Sequence, residues 1–347
     1  MSRVSEKLSQ LFAKLTRSST IHEATLLVEE GNGRALIAET YGERTLGSSI
    51  VMASITKLWT TACVLQLIDQ GHLTLETRIS SLLKPELTEQ LHLYQGQDYS
   101  NHLTVAHLLF QTSGLPDAFE EGKPSMKERL IQEDFSYTVF EEASMVRQLK
   151  PHFVPGGVER AYYADINFDL LGSVIERVTG QSLAAVFQQT IMKPLELTHS
   201  YLLTHEQRAA PPVYYKHERL IRPQFLRSAG ASGGGVTTVR ELMRFMRGFI
   251  GGELFPKVMF NQLTHYRSLQ ASFDPIYYGG GYMQIPLGDG GKTTGMSELL
   301  GHTGSTGAFA FYYPEVDAYL VGDFNQMIKS ALPLLAARQI AKILGEG

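Results

Sequence analysis

Ser54-Ile55-Thr56-Lys57 begins a long, mostly apolar run that continues to Gly71 and predicts a buried helix ending at the glycine. Residues three apart on a helix share one face, so the Ser54 hydroxyl and the Lys57 amine are expected to be neighbours. A serine hydroxyl becomes a strong nucleophile when an adjacent base takes its proton, and an uncharged lysine can be that base. The stretch therefore predicts an enzyme that attacks a carbonyl group through Ser54.

A second Ser-x-x-Lys pattern occurs at Ser81-Leu82-Leu83-Lys84, so the motif needs support from its context. Pro85 follows Lys84 directly, and a proline disfavours helical geometry for the residue before it. This copy also lacks the long apolar run that follows Lys57. We therefore assign the nucleophile to Ser54 rather than to Ser81.

The composition is that of a globular protein with one large domain or two interleaved domains. The 347 residues are 43% hydrophobic and 19% charged, which is enough apolar material for a sizeable core. The formal net charge is −4 and no strong basic patch occurs, so nucleic acid is not an expected partner. The single cysteine, Cys63, excludes an internal disulfide and is expected to pack in the core.

The first residues lack the pattern of a secretion signal. Glu6, Lys7 and Lys14 interrupt any apolar stretch, while the apolar residues from Leu8 to Leu15 recur at helical spacing. No apolar run approaches the about 20 residues that a helix needs to cross a bilayer. We therefore expect a cytoplasmic protein that does not act on a membrane.

Strands are predicted at both ends of the chain and helices in its middle. Two β-like runs, 23–30 and 33–40, flank Gly31-Asn32-Gly33, a hairpin pattern. Helical periodicity occurs at 104–111, 126–149, 166–179, 182–192 and Val239–Phe249. Later strands and a closing helix are predicted at Tyr278–Pro286, Glu298–Gly301, Ala308–Tyr313, Ala318–Phe324 and Lys329–Leu344.

This order of elements predicts an α+β fold, an α/β sandwich. Both chain ends are expected to build one antiparallel sheet that is flanked by helices. We assign residues 1–75 and 225–347 to this sheet domain, and residues 76–224 to a mostly helical inserted domain.

Tyr163-Ala164-Asp165 is a second candidate for the site. Pro155 and Gly156 mark a turn before it and a helix is predicted after it, so these residues are expected on a loop. A tyrosine close to a cationic lysine loses its proton more easily and can serve as base or proton relay.

Gly301-His302-Thr303-Gly304-Ser305-Thr306-Gly307 is the third candidate, because it enters a predicted strand with small residues. Small side chains let a substrate backbone lie against the strand edge and pair with it. The N–H group of Ser305 is a candidate oxyanion donor beside that of Ser54, which stands where a helix begins. A glycine-rich turn between strands is the alternative interpretation of this stretch alone.

The three motifs, in this order and at wide spacing, resemble the serine β-lactamase and penicillin-binding-protein superfamily. The similarity is greatest to its class C branch, which also contains esterases and D-amino-acid peptidases. Residues 108–116, 154–156 and 232–238 resemble that branch as well. The resemblance extends from about residue 22 to about residue 325 and implies a β-lactamase/transpeptidase-like fold.

The resemblance implies a serine hydrolase that cleaves esters or amides through an acyl-enzyme. Ser54 attacks the carbonyl group, Lys57 and Tyr163 handle its proton, and the N–H groups of Ser54 and Ser305 hold the oxyanion. Whether Lys57 or Tyr163 is the base stays open. The expected partner is a small ester, amide or peptide, and neither a cofactor nor a metal is expected.

Two residues depart from the usual family pattern. Asp165 replaces an asparagine, and an ionised carboxylate accepts hydrogen bonds but cannot donate them. His302 replaces a lysine, so the fixed charge that binds a substrate carboxylate is absent unless the surroundings raise the pKa of the histidine. His302, Thr303, Gly304 and Asp165 remain the expected substrate-binding residues, and weak or no β-lactamase activity is expected.

Two other interpretations compete with this one. Gly230-Ala231-Ser232-Gly233-Gly234 matches the Gly-x-Ser-x-Gly elbow of α/β-hydrolases, but that motif requires a buried strand before it and a helix directly after it. The second alternative is a protein of the same fold that acylates without turnover, or serves as a sensor or scaffold. The intact Ser54–Lys57 pair favours the enzyme.

Overall fold

One antiparallel sheet joins the two ends of the chain in the computed structural model, which describes residues 2–157, 160–204, 209–270, 276–288 and 297–346. In spatial order its eight strands are β10 (Arg267–Ser268), β11 (Tyr277–Tyr278), β12 (Met283–Pro286), β13 (Glu298–Thr303), β14 (Ala308–Tyr313), β15 (Ala318–Asp323), β1 (Ala24–Glu30) and β2 (Ala35–Tyr41). Val28 of β1 lies opposite Leu320 of β15 and Ile37 of β2. The N-terminal hairpin therefore pairs with the C-terminal strands, and the predicted fold class is confirmed.

Helices from both chain ends cover this sheet. On one face α1 (Arg3–Thr16) packs on α12 (Leu332–Gly345), and a Cβ added at Gly345 would lie 3.3 Å from the Tyr313 hydroxyl. On the other face α11 (Val239–Gly251) places the Arg247 guanidinium 4.6 Å from the centre of the Tyr319 ring. Tyr313 lies opposite Ala318 in the sheet, so the two side chains share one face. Tyr319 follows Ala318 in β15 and therefore points to the other face, because successive strand residues alternate. The sheet is thus the middle layer of a sandwich.

The remaining elements lie between these strands along the chain. The helices are α2 (Thr56–Asp69), α3 (Pro85–Thr88), α4 (Val105–Leu109), α5 (Met126–Gln132), α6 (Val139–Arg147), α7 (Ile166–Thr179), α8 (Leu183–Phe187), α9 (Pro223–Ser228) and α10 (Gly230–Gly233). The short strands are β3 (Ile50–Val51), β4 (Leu93–Tyr94), β5 (Gln97–Asp98), β6 (Tyr201–Leu202), β7 (Val213–Tyr215), β8 (Glu218–Leu220) and β9 (Gly235–Thr237). The boundaries of an inserted domain at residues 75 and 225 stay a prediction.

Two predicted elements were wrong in extent. The expected helix 126–149 is divided into α5 and α6, because Ser125 and Thr138 each form a capping box that begins a new helix. The expected strand Tyr278–Pro286 is divided into β11 and β12 by a turn in which Gly281 has a φ of 91°.

Helix α2 runs through the middle of the protein and is buried on nearly every side. It packs against α7 and α10, and its largest side chain, Trp59, is completely buried. A helix that is apolar all round belongs in a core, which explains the uninterrupted run after Lys57. Among the described residues, no helix combines the length and apolar character needed to cross a bilayer. The cytoplasmic location stays a prediction.

Candidate active site

Ser54 lies where β3 ends and α2 begins. It occupies a 3₁₀ turn, Ala53–Ile55, and Ala53 has a φ of 46°, a left-handed conformation that residues with a Cβ rarely adopt. Gly304 supports this turn at close range, since a Cβ added to it would lie 2.4 Å from the Met52 carbonyl oxygen. Backbone strain of this kind persists only where the surrounding structure holds it, as at functional sites.

The Lys57 side chain is completely buried and donates to three acceptors. Its Nζ lies 3.2 Å from Ser54 Oγ, 2.6 Å from Asp165 Oδ1 and 2.8 Å from the Ser232 carbonyl oxygen. These acceptors match the three hydrogens of an ammonium group. The predicted neighbours Ser54 and Lys57 are therefore in direct contact, and Asp165 forms an ion pair with Lys57.

Asp117 lies next to this ion pair. Its Oδ1 accepts the backbone N–H of Asp165 at 3.3 Å and that of Phe119 at 3.2 Å. Burial, and then the negative charge of Asp165, raise the pKa of Asp117 well above its usual range, while Lys57 opposes this rise. Lys57 is thus surrounded by more acidic groups than its single charge can neutralise.

Tyr163 packs beside Lys57, with Nζ 5.0 Å from the centre of its ring. Its backbone N–H donates to Gln270 Oε1 at 2.9 Å, which anchors the loop. The phenol oxygen is buried and has no partner in full hydrogen-bond geometry among the described residues. Burial, and then the charge of Asp165, raise the pKa of Tyr163 well above its usual range, although the nearby Ser54 hydroxyl opposes this rise. Tyr163 is therefore a protonated phenol at neutral pH.

His302 is completely buried behind Tyr163. Its ring centre lies 5.9 Å from those of Tyr163 and Tyr278. Nδ1 donates to the Thr303 carbonyl oxygen at 2.7 Å, which leaves Nε2 to accept from the Tyr278 hydroxyl at 3.4 Å. Burial, and then the charge of Lys57, lower the pKa of His302 to about 3. The ring is neutral and supplies no charge for a substrate carboxylate.

The ribbon after His302 is fixed against Ser54. Thr306 Oγ1 donates to the Val51 carbonyl oxygen at 2.9 Å, which ties the ribbon to β3. The Gly304 N–H donates to the Ala308 carbonyl oxygen at 2.8 Å, while the Ser305 N–H has no acceptor among the described residues. The Thr303 hydroxyl points to Met283 Sδ at 3.9 Å. Ser305 is the member of this ribbon that lines the cavity described next.

A cavity of about 160 Å³ opens beside these groups. Ser54, Tyr163, Asp165 and Ser305 form its polar side. Most of the remaining lining is apolar and includes Val51, Phe119, Val213, Phe225, Leu226 and Met327. The wall also includes Arg222, whose guanidinium donates to the carbonyl oxygens of Leu130 and Ile131 at 2.8 and 2.9 Å. These two neutral carbonyl groups fix the guanidinium in place without neutralising its charge.

The protein-family model described as Beta-lactamase matches residues 19–344. The chain belongs to the Beta-lactamase family. The resemblance inferred from the three motifs is thereby confirmed.

Two relatives of this Beta-lactamase family member match about half of its length. It is 32% identical to Esterase EstB of Burkholderia gladioli over 169 residues, which cover 47% of this chain and 41% of that protein. It is 29% identical to Protein flp of Staphylococcus aureus (strain NCTC 8325 / PS 47) over 186 residues, 51% of this chain and 34% of that protein. These matches thus span less than half of either relative.

Solved structures of the same fold match nearly the whole chain. A D-stereospecific amidohydrolase from Streptomyces sp. has a TM-score of 0.73 and 26% identity, and the match covers 93% of each chain. The D-amino acid amidase from Ochrobactrum anthropi SV3 has a TM-score of 0.77 and 19% identity, covering 99% of this chain and 100% of that one. At 19% identity, the similarity to the D-amino acid amidase concerns the fold alone.

Ser232, the rival nucleophile, has a different place in this Beta-lactamase family member. It lies in α10, directly after α9, so the strand required before a nucleophile elbow is replaced by a helix. Its hydroxyl is buried and donates to the Ala229 carbonyl oxygen at 2.9 Å. Its own carbonyl oxygen holds Lys57. The other rival, Ser81, donates to the Arg78 carbonyl oxygen at 2.7 Å.

Three groups near Lys57 were not predicted from the sequence. The Ser232 carbonyl accepts from Lys57, Asp117 accepts from the Asp165 N–H, and Asp169 accepts from the Ser232 N–H. Residue 232 lies in a family-like stretch, but the acting atom is a backbone carbonyl, which has no side-chain signature. Asp117 directly follows the family-like stretch 108–116. Asp169 lies one turn after Asp165, the residue that precedes α7, and this spacing could have indicated that the two carboxylates are neighbours. Among the described residues, no group of three or more His, Cys, Asp and Glu side chains is arranged to hold a metal ion.

Proposed function

We propose that this chain is a serine hydrolase that cleaves small esters or amides through an acyl-enzyme on Ser54. The observation that carries the proposal is the contact of 3.2 Å between Ser54 Oγ and Lys57 Nζ at the wall of a largely apolar cavity. The likeness to an esterase and to amide-cleaving enzymes supports it.

The contacts of Lys57 suggest how the nucleophile is activated. In the amine form, two N–H bonds still serve Asp165 and the Ser232 carbonyl, and the lone pair points to Ser54. The Ser54 proton then passes to Lys57 as Oγ bonds to the carbonyl carbon. Tyr163 is better suited to give a proton than to take one, because its raised pKa keeps it protonated. We assign it as the donor to the leaving group, and the Lys57 ammonium restores its proton.

The oxyanion would be held by backbone N–H groups. The Ser54 N–H stands at the start of a helix, where the dipole favours negative charge. The Ser305 N–H has no other acceptor among the described residues and lines the same cavity. Donors fixed before the reaction stabilise the developing charge without reorganisation. Water then attacks the acyl-enzyme and releases the acid.

The cavity favours acyl groups without a carboxylate. His302 is neutral, the Arg222 guanidinium is bound to two carbonyl oxygens, and the Asp165 carboxylate lies on the wall beside Ser54. A substrate carboxylate beside Ser54 would face the negative charge of Asp165 in a largely apolar site, where an uncompensated charge is costly. We therefore propose neutral or cationic apolar esters and amides as substrates, with weak or no hydrolysis of β-lactams. His302 would support Tyr163 rather than contact the substrate.

Steady-state hydrolysis of p-nitrophenyl butyrate tests this function. Ser54→Ala should abolish turnover, and Ser232→Ala, a matched serine deletion, should retain most of it. Loss of activity only in Ser232→Ala would refute the assignment. A single stoichiometric burst without turnover would instead indicate a protein that acylates and stops. A chromogenic cephalosporin hydrolysed as fast as the ester would contradict the proposed substrate class.

A further inference from the structure

Two acidic side chains that the proposed reaction does not use lie buried behind Lys57. Glu142 of α6 is 2% exposed and Asp169 of α7 is 8% exposed. Glu142 Oε2 and Asp169 Oδ2 are both buried and have no hydrogen-bond donor among the described residues. The two side chains lie within hydrogen-bond reach of each other, and their oxygens are satisfied when one carboxylic acid donates its proton to the other carboxylate. We conclude that the two groups share one proton.

The electrostatics of the pair agree with this arrangement. Burial, and then the charge of Asp165, raise the pKa of Asp169 to about 7, while its hydrogen bond with Glu142 opposes the rise. Burial, and then the charge of Asp169, raise the pKa of Glu142 well above its usual range. Glu142 therefore holds the shared proton, and the pair titrates as a unit.

Asp169 connects this pair to the candidate active site through one peptide group. Asp169 Oδ1 accepts the Ser232 N–H at 3.1 Å, and the Ser232 carbonyl oxygen accepts from Lys57 Nζ at 2.8 Å. Helix α10 is held close to α7, since a Cβ added at Gly172 would lie 2.6 Å from the Ala231 Cβ. The Ser232 peptide thus lies between Asp169 and Lys57.

The pair is surrounded by other charged and titratable groups but can exchange its proton with solvent. Asp165, Asp117 and Lys57 act on Asp169 or Glu142 from the active-site side, and the Tyr137 phenol lies beside them. A groove of about 950 Å³, whose lining does not include Ser54, reaches Glu142 and Asp169. The other charged groups on its wall are Asp134, Glu141, Glu176 and Arg227.

We propose that Asp169, together with the proton it shares with Glu142, is a positioning residue that holds the Ser232 carbonyl on Lys57 and so keeps Lys57 directed at Ser54. This inference rests on the proposed function, which gives Lys57 its part in the reaction. When the pH rises and the shared proton leaves, two carboxylates face each other behind α10. Their repulsion displaces the Ser232 peptide and adds negative charge beside Lys57. Turnover should therefore fall at alkaline pH.

Two isosteric variants remove the proton without removing the contacts. In Asp169→Asn the amide oxygen still accepts from Ser232, and its NH₂ group donates to Glu142. In Glu142→Gln the amide donates to Asp169. With p-nitrophenyl butyrate, corrected for spontaneous hydrolysis, kcat of the wild type should fall at least tenfold from pH 6.5 to 9. Both variants should lose less than threefold, with KM unchanged.

The controls separate positioning from general stability. Glu141→Gln makes the same carboxylate-to-amide change as Glu142→Gln, one residue away at the surface. Its dependence of kcat on pH should follow that of the wild type. Asp169→Ala removes the acceptor for Ser232, and its kcat should be at least tenfold below that of Asp169→Asn at every pH. Wild-type-like profiles in both isosteric variants, or equal kcat in Asp169→Ala and Asp169→Asn, would overturn the proposal.

A measurement without substrate keeps the test independent of the proposed function. Because the pKa values of Glu142 and Asp169 are both raised in the folded state, the folded wild type holds protons that the unfolded chain has released, and it loses stability as the pH rises. The Tm of Asp169→Asn minus that of the wild type should therefore increase between pH 5 and 8. A flat difference excludes the shared proton. A wild type that hydrolyses no ester refutes the proposed function instead, and the Tm series then still decides the shared proton.

Discussion

Asp165→Asn restores the usual family residue and tests which group takes the Ser54 proton. The amide oxygen of asparagine can still accept from Lys57 Nζ, so the change removes mainly the charge. At 2.6 Å and an effective dielectric constant of about 20, the attraction between ammonium and carboxylate is about 6 kcal/mol. The Asp165 side chain is 21% exposed, so solvent screens the pair and we take about half of that value, about 3 kcal/mol.

This energy stabilises the ammonium form of Lys57, which cannot accept a proton from Ser54. At about 1.4 kcal/mol for each factor of ten, its loss favours the proton-accepting amine form, so kcat/KM should rise most on the acid side of the profile. The alkaline limb should also move to lower pH, because the charge of Asp165 adds to burial in raising the pKa of Asp169, whose ionisation is expected to lower turnover. On the acid side the variant should be up to about a hundredfold more active than the wild type.

The assay is hydrolysis of p-nitrophenyl butyrate from pH 5 to 10. Asp69→Asn is the matched control, because Asp69 is exposed at the far end of α2 and the variant has the same change in charge. The dependence of kcat/KM on pH in Asp69→Asn should follow that of the wild type. If Asp165→Asn moves the alkaline limb but leaves the acid limb in place, Lys57 does not take the proton and the reasoning fails.

Three further changes have defined outcomes. Tyr163→Phe removes the proposed donor to the leaving group, so kcat for an alkyl ester should fall about 10²–10⁴-fold, and for a p-nitrophenyl ester by much less, in parallel steady-state assays. Gly304→Ala places a Cβ 2.4 Å from a carbonyl oxygen in the Ser54 turn, and the displaced nucleophile should lower kcat by about 10²-fold while circular dichroism stays native. Arg44→Met leaves its partner Asp323, 2.6 Å away, buried and unpaired, and urea denaturation should show a loss of about 3–5 kcal/mol. Burial already raises the pKa of Asp323, so this loss should shrink as the pH falls, and adding Asp323→Asn should recover part of it. A loss that is the same at every pH would contradict the unpaired carboxylate.

Local pattern was sufficient to predict the fold class and the Ser54–Lys57 contact. Side chains alternate between the two faces of a strand and return to the same face of a helix about every 3.6 residues. The terminal strands and the helix after Lys57 could therefore be predicted from neighbours along the chain alone. The predicted helix 126–149 failed for a local reason as well, because Thr138 caps a new helix within a continuous periodic stretch.

The electrical state of the site was decided by the tertiary structure. The sequence gives the identities of Asp165 and His302, but their charges depend on burial and on partners more than a hundred positions away along the chain. His302 is neutral because it is enclosed, and Tyr163 stays a phenol because burial, and then the charge of Asp165, raise its pKa. Residue type sets which proton a side chain can exchange, whereas desolvation and nearby charge set where that proton resides, and both arise only when distant segments pack together.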